Sequence, residues 1–205
     1  MTLALAEKSV SVGGATLRYR EAGAGETIVL LHGADGPAAS LLAARHRLLV
    51  PAPSGGNRDG VRGEAARIAG LVRAACAGPV HLVAQSEGAA AACWLAIERP
   101  ELVKSLVLSA PSSFAAQDAN RDLLERLGEI KAPTLLLVGT KDEIVPEAAM
   151  RPYQKHIADC HRMFLYNAAH DLPASAGPRW AALVADFIDR GEAFAVNPGT
   201  RESNP

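Results

Sequence analysis

The chain has 205 residues, 49% of them hydrophobic, and a formal net charge of -1 at pH 7. This length suits one domain with a full hydrophobic core, and the lack of a basic excess argues against a nucleic-acid partner. No apolar run is long enough to cross a bilayer, and the opening segment, MTLALAEKSV, lacks the charged and apolar regions of a secretory signal. We therefore predict a soluble, cytoplasmic globular protein with no membrane partner.

The first part of the chain predicts a sheet edge followed by alternating strands and helices. Two short runs, at residues 9–12 and 16–21, flank Gly13-Gly14 and predict a β-hairpin at one edge of a sheet. The next predicted elements are a strand at residues 27–31, a helix at 38–45, a strand at 47–50, a loop at 51–60 and a helix at 61–77.

Residues 79–100, PVHLVAQSEGAAAACWLAIERP, predict a buried strand, a sharp turn and a helix that ends at Pro100. Small residues crowd the turn, although Ala84 stands where such motifs usually have their first glycine. A serine at this kind of corner projects its hydroxyl above the sheet, as in a nucleophile elbow. Ser86 is therefore a candidate nucleophile, and the alternative is a serine that only caps the helix.

The remaining elements continue the alternation of strands and helices. They are a strand at residues 104–109, a helical face through Leu123, Leu124, Leu127 and Ile130, a strand at 134–138, a helix at 146–157, a strand at 162–166 and a helix at 180–190. This order predicts an α/β fold with a mostly parallel central sheet, helices on both faces and functional groups beyond the carboxyl ends of the strands. We predict one domain over residues 1–196 and a disordered tail at 197–205.

Two polar residues follow late strands at this edge of the predicted sheet. Asp142 follows the strand at residues 134–138, where an aspartate often makes only a local turn bond, and Glu143 is its nearest competitor as a catalytic acid. His170 follows the last strand in a loop of small residues, Ala168-Ala169-His170, as a base that reaches back to a serine requires.

The other histidines and the cysteines carry no predicted chemistry. We expect His32 to be a scaffold hydrogen bonder, and the other four histidines to be structural: His46, His81, His156 and His161. Three scattered cysteines, Cys76, Cys93 and Cys160, lack metal-ligand spacing and are expected to pack as reduced hydrophobic side chains. We therefore predict no metal and no cofactor.

Four separated segments occur in the order that one known family shows: LLHG at residues 30–33, AQSEG at 84–88, VGTKDEIVP at 138–146 and NAAHDLP at 167–173. On these motifs the chain resembles, nearly end to end, the α/β-hydrolase fold family in its epoxide hydrolase, haloperoxidase and esterase-like branch. The resemblance implies a Ser86 nucleophile, an Asp142 acid and a His170 base. It also implies an oxyanion hole made by the backbone N–H groups of Ala34 and Glu87.

The chain differs from many members of this family because it lacks a segment that they contain. Between residues 109 and 134 relatives often insert a cap domain, whereas this sequence predicts one amphipathic helix, so we expect a single domain with a reduced or absent cap. The serine nucleophile argues against dehalogenase and epoxide hydrolase chemistry, which in those relatives uses an aspartate at this position.

Esterase or thioesterase chemistry on a small-molecule acyl substrate is the resulting prediction, of the carboxylesterase type and through an acyl-enzyme. One alternative is a non-catalytic α/β-hydrolase scaffold that acts as a binding protein. Another is carbon-carbon bond hydrolysis or perhydrolysis on the same triad. The protein is expected to be a monomer or a homodimer. The alternative to an open site is that a partner subunit supplies the missing cover, through the helix that carries Leu123, Leu124, Leu127 and Ile130 or through the surface beside it.

Overall fold

The computed structural model describes residues 5–31, 36–53, 60–115 and 120–191. These residues form one eight-stranded sheet, whose strands are β1 (Ala6–Val12), β2 (Ala15–Ala22), β3 (Thr27–Leu31), β4 (Arg47–Pro51), β5 (Val80–Gln85), β6 (Val103–Ser109), β7 (Thr134–Gly139) and β8 (Cys160–Leu165). Their spatial order is β1-β2-β4-β3-β5-β6-β7-β8. The β1–β2 hairpin pairs antiparallel and lies at one edge as predicted, and every pairing from β4 to β8 is parallel.

The central strands are apolar runs because helices cover both of their faces. All six residues of β5 and all six of β7 are buried. Strands that have one solvated face show alternation instead, as in β2, where Leu17 and Tyr19 are buried and Arg18 between them is exposed. The predicted α/β layering is therefore confirmed.

Six helices are present in the described part of the chain: α1 (Pro37–Ala43), α2 (Gly60–Ala75), α3 (Gly88–Glu98), α4 (Arg121–Arg126), α5 (Arg151–His156) and α6 (Leu172–Arg190). One core cluster joins α2, α3, α4 and α5 to one face of the sheet, and a second joins α1 and α6 to the other. Every residue of α3 except Glu98 is buried, because this helix is enclosed between the sheet and its neighbouring helices.

Three predicted helices differ from the observed ones by more than the one or two residues seen at the ends of α1 and α2. The helical face at residues 123–130 is the short α4 followed by a 3-10 turn at Leu127–Glu129. The helix expected at 146–157 is divided into a 3-10 turn, Glu147–Met150, and α5, because Pro152 suits the first turn of a new helix better than the interior of a long one.

The last helix, α6, begins at Leu172 rather than at residue 180. Asp171 caps its first turn, because its carboxylate accepts the N–H of Ala174 at 3.0 Å. The backbone then leaves the helical region at Ala176, two residues before Pro178, which has no N–H to donate. Within the described ranges no helix is long and apolar enough to cross a membrane. The predicted tail, residues 197–205, lies outside the described residues.

Candidate active site

Ser86 lies at the corner between β5 and α3. Its φ of 51° is in the left-handed region, which is strained for a residue with a Cβ. The Ser86 N–H donates to the Ser109 carbonyl at the end of β6 at 2.9 Å, and the Ser86 carbonyl accepts the Ala89 N–H at 3.2 Å. Because these bonds fix the corner on both sides, the half-buried Ser86 side chain is held at the carboxyl edge of the sheet.

His170 lies between Ser86 and Asp142. Its Nε2 is 2.8 Å from the Ser86 Oγ, and its Nδ1 is 3.0 Å from the Asp142 Oδ2. The imidazole is 16% exposed and the Asp142 side chain is 2% exposed. The fold therefore brings these three residues together, from beyond the ends of β5, β7 and β8, in one hydrogen-bonded chain.

Asp142 uses its two carboxylate oxygens differently. Its Oδ1 accepts the N–H groups of Ile144 and Val145, both at 2.9 Å, and its Oδ2 faces His170. The local turn bonds that such an aspartate often makes are thus present in addition to the histidine contact. Glu143 is exposed to solvent. The turn consequently holds the Asp142 carboxylate with one oxygen directed at the imidazole.

Gly139, the last residue of β7, allows the loop that carries His170 to pass close by. A Cβ on Gly139 would lie 2.4 Å from the Ala168 carbonyl oxygen and 2.8 Å from that of Ala169. The Lys141 N–H donates to the same Ala168 carbonyl at 2.9 Å. Asp142 and His170 are therefore positioned by direct contact between their two loops, and this contact requires glycine.

The same loop is fixed to the first turn of α6. The Ser175 Oγ accepts the Ala169 N–H at 3.1 Å and donates to the Asp171 carbonyl at 2.6 Å. Deeper in the core, the Trp180 Nε1 donates to the Ser109 Oγ at 2.8 Å. Since the Ser109 carbonyl accepts the Ser86 N–H, Ser109 joins the corner at Ser86 to α6.

Two residues that lie beside these hydrogen-bonded side chains were not identified as site residues from the sequence. The Gln85 Nε2 donates to the His170 carbonyl at 2.7 Å. The Ser112 Oγ lies 3.5 Å from the Ser86 Oγ, after Ala110, whose φ is 44°. The sequence does offer a reason to identify Gln85, because it is a polar residue in a strand whose other residues are mostly apolar. The position of Ser112 depends on the backbone at Ala110, which its sequence does not indicate.

The structure describes only one of the two predicted oxyanion-hole residues. Ala34 lies outside the described residues, and so does His32. Glu87 is exposed and lies at the N-terminus of α3, directly after Ser86. Backbone N–H groups at a helix N-terminus carry partial positive charge, so this end of α3 can stabilise an anion that develops beside Ser86.

Two histidines and one cysteine in other parts of the structure have side chains that are hydrogen-bonded or buried. The His46 imidazole bonds Asp189 at 2.9 Å. Burial lowers the pKa of His81, which bonds Ser105 and Glu26, each at 2.7 Å. Burial raises the pKa of Cys160 to about 11, so this thiol remains protonated and is a poor nucleophile at neutral pH.

Solved structures with the same fold are recognisable despite low sequence identity. A serine hydrolase involved in carbazole degradation is 19% identical with a TM-score of 0.76, over 91% of this chain and 99% of that one. A thioesterase domain from the curacin biosynthetic pathway is 18% identical with a TM-score of 0.76, over 89% and 99% of the two chains. Carboxylesterase CesB from Bacillus subtilis is 14% identical with a TM-score of 0.77, over 92% and 93%. The sequence matches no protein-family model and no curated protein.

These likenesses confirm the fold that the motifs predicted. The chain has the α/β-hydrolase fold in a single domain with a mostly parallel eight-stranded sheet. A shared fold supports many reactions, so the reaction has to be inferred from the geometry of the site.

Proposed function

We propose that this chain, which has the α/β-hydrolase fold, is a serine hydrolase that cleaves small carboxylic esters or thioesters through an acyl-enzyme. The observation that carries the proposal is the hydrogen-bonded chain from the Ser86 Oγ through His170 to Asp142, at 2.8 and 3.0 Å. A nucleophile, a base within hydrogen-bond reach and a third group that orients the base are the parts that acyl transfer needs.

In the proposed acylation step, the Ser86 Oγ attacks the carbonyl carbon of the substrate while the His170 Nε2 accepts the hydroxyl proton. The His170 Nδ1–H donates to the Asp142 Oδ2, which keeps the imidazole in the tautomer whose Nε2 is free to accept. The Asp142 carboxylate then stabilises the imidazolium that forms. Asp142 remains ionised throughout the step.

Attack converts the carbonyl oxygen into an oxyanion that needs donors already in position. We assign the Glu87 backbone N–H, at the N-terminus of α3, as one donor and the Ala34 backbone N–H as the other. The tetrahedral intermediate then collapses, and the imidazolium gives its proton to the departing alkoxide or thiolate.

Deacylation repeats the sequence with water as the nucleophile. His170 accepts a proton from water, the resulting hydroxide attacks the acyl carbon, and the C–O bond to Ser86 breaks as His170 returns the proton to the Ser86 Oγ. The products are a carboxylic acid and an alcohol or thiol, and the enzyme is restored.

We propose small substrates because the segment between β6 and β7 packs against the core. Leu123, Leu127 and Ile130 in this segment are buried in the chain's own core against α3 and the sheet. Because these three side chains pack in the chain's own core, they do not themselves form a surface for a partner subunit. A partner subunit that supplies the cover through the neighbouring surface stays an alternative prediction. We propose instead that the site works with little cover.

The experiment that tests the proposal is hydrolysis of a panel of p-nitrophenyl esters and acyl thioesters by the purified protein. Turnover of short acyl esters that disappears in Ser86→Ala is the expected result. Absence of hydrolysis over the whole panel by a folded protein would favour the alternative of a non-catalytic binding scaffold.

A further inference from the structure

Gln85 and Ser86 are consecutive in the chain and contact opposite ends of His170. The Gln85 Nε2 donates to the His170 backbone carbonyl at 2.7 Å, and the Ser86 Oγ lies 2.8 Å from the His170 Nε2. The Gln85 side chain faces the same side of the sheet as Val83, toward the core cluster of α1 and α6. The loop that carries His170 enters α6 on that side.

The orientation of the Gln85 amide follows from its partner. A carbonyl oxygen only accepts hydrogen bonds, so the amide must present its NH₂ group, and not its oxygen, to the His170 carbonyl. The Gln85 Oε1 is consequently turned away from this contact. It is buried and has no hydrogen-bond partner among the described residues.

We propose that Gln85 is a positioning residue, which fixes the backbone of His170 relative to β5 and so sets the distance from the imidazole to Ser86. This inference rests on the proposed function, because it assigns Gln85 a role in the same reaction. It adds a restraint that is independent of Asp142: the acid orients the imidazole ring through Nδ1, whereas Gln85 holds the main chain from which that ring extends.

The unpartnered Oε1 separates this role from a role in packing. Gln85 is 5% exposed, and burying an amide oxygen without a partner destabilises a fold. An apolar residue of the same length would avoid that penalty but would leave the His170 carbonyl without its donor, so the two effects on stability oppose each other. The Gln85 amide therefore adds little net stability, although it fixes the position of the His170 backbone.

The test compares Gln85→Met, which preserves length and removes the donor, with the control Gln154→Met on the exposed surface of α5. Displacing a reacting group by about 1 Å costs up to about 100-fold in rate. We expect Gln85→Met to lower kcat on short acyl esters by about ten- to 100-fold, with KM within about twofold and a melting temperature close to that of the wild type. The control should match the wild type in all three.

Two further results would show whether Gln85 positions His170. If Gln85→Met keeps the wild-type kcat, or if its melting temperature falls in parallel with its activity, Gln85 is not a positioning residue. The rate of covalent labelling by a fluorophosphonate gives a second readout, which should fall in Gln85→Met while Ser86 remains the labelled residue. If the wild type neither hydrolyses esters nor labels, the proposed function itself fails and this inference fails with it.

Discussion

The Nε2 of His170 lies 2.8 Å from the Oγ of Ser86, across a separation of 84 residues in the sequence. Two backbone features make this approach feasible. Ser86 adopts a φ of 51° at the end of β5, and the loop before His170 passes within 2.4 Å of the space that a Cβ on Gly139 would occupy. The proposed chemistry consequently depends on main-chain geometry at two strand ends as much as on three side chains.

Substituting the proposed acid should distinguish Asp142 from Glu143. In Asp142→Asn the remaining carbonyl oxygen can still accept from Ile144 and Val145, so the turn survives while the side chain presents an NH₂ group to the His170 Nδ1. The imidazole is then held in the wrong tautomer, which lowers kcat by about 10⁴-fold in the serine protease example. We expect a loss of that order, against less than about threefold for Glu143→Gln. Equal losses in ester hydrolysis assays would contradict the assignment of Asp142.

Gly139→Ala should lower the catalytic rate although Gly139 has no side chain in the proposed triad. The new Cβ would lie 2.4 Å from the Ala168 oxygen, so the loop before His170 must move away. We expect kcat to fall by about 100-fold and the melting temperature to fall as well. Gly78→Ala is the matched control, because nothing lies within 4 Å of its Cβ, and it should behave as the wild type. Full activity in Gly139→Ala would show that the close contact is not needed.

The strands and the elbow could be predicted because their signals are local. The apolar run before Ser86, the small residues after it and the hairpin glycines lie within a few residues of the features that they specify. The fold class followed from the alternation of such segments. The choice of Asp142 over Glu143, in contrast, depended on the family resemblance and not on any local pattern.

Other features could not be predicted because they depend on contacts between distant segments. The Gln85 amide meets a carbonyl 85 residues away, and Gly139 is needed only because the loop before His170 passes over it. The start of α6 at Leu172 was missed for a different reason. Pro173 and Pro178 indicate a break, although a proline in the first turn is compatible with a helix and the second is accommodated by the kink at Ala176.

A buried histidine far from the site should make stability depend on pH. Burial lowers the pKa of His81 below its ordinary value of 6.5, although Glu26 bonds its Nε2. Because the unfolded chain binds a proton at His81 more readily than the native protein, the free energy of unfolding should fall as pH drops through about 6.5. Urea unfolding at pH 7.5 and 5.5 should show this fall, and His81→Gln should reduce it. An unchanged difference between the two pH values in His81→Gln would refute this account.

A site with little cover should discriminate weakly by acyl chain length. A fully enclosed methylene contributes about 0.8 kcal/mol of binding, which corresponds to roughly a fourfold gain in kcat/KM per carbon. The residues between β6 and β7 that are buried in the core cannot enclose the substrate in this way. We expect a preference for short acyl groups, a shallow rise of kcat/KM with length and tolerance of varied alcohols. A steep rise of about fourfold per methylene would indicate an enclosed acyl pocket.

The most direct test of the proposed triad is covalent labelling by a fluorophosphonate probe, with the modified peptide mapped by mass spectrometry. Ser112→Ala and Ser86→Ala form the matched pair, because the two hydroxyl oxygens are only 3.5 Å apart. We expect the wild type and Ser112→Ala to carry the phosphonate on Ser86, and Ser86→Ala to remain unlabelled and to lose ester hydrolysis by several orders of magnitude. A folded wild-type protein that does not label, or a Ser86→Ala variant that still labels or hydrolyses esters, would contradict the assignment of Ser86 as the nucleophile.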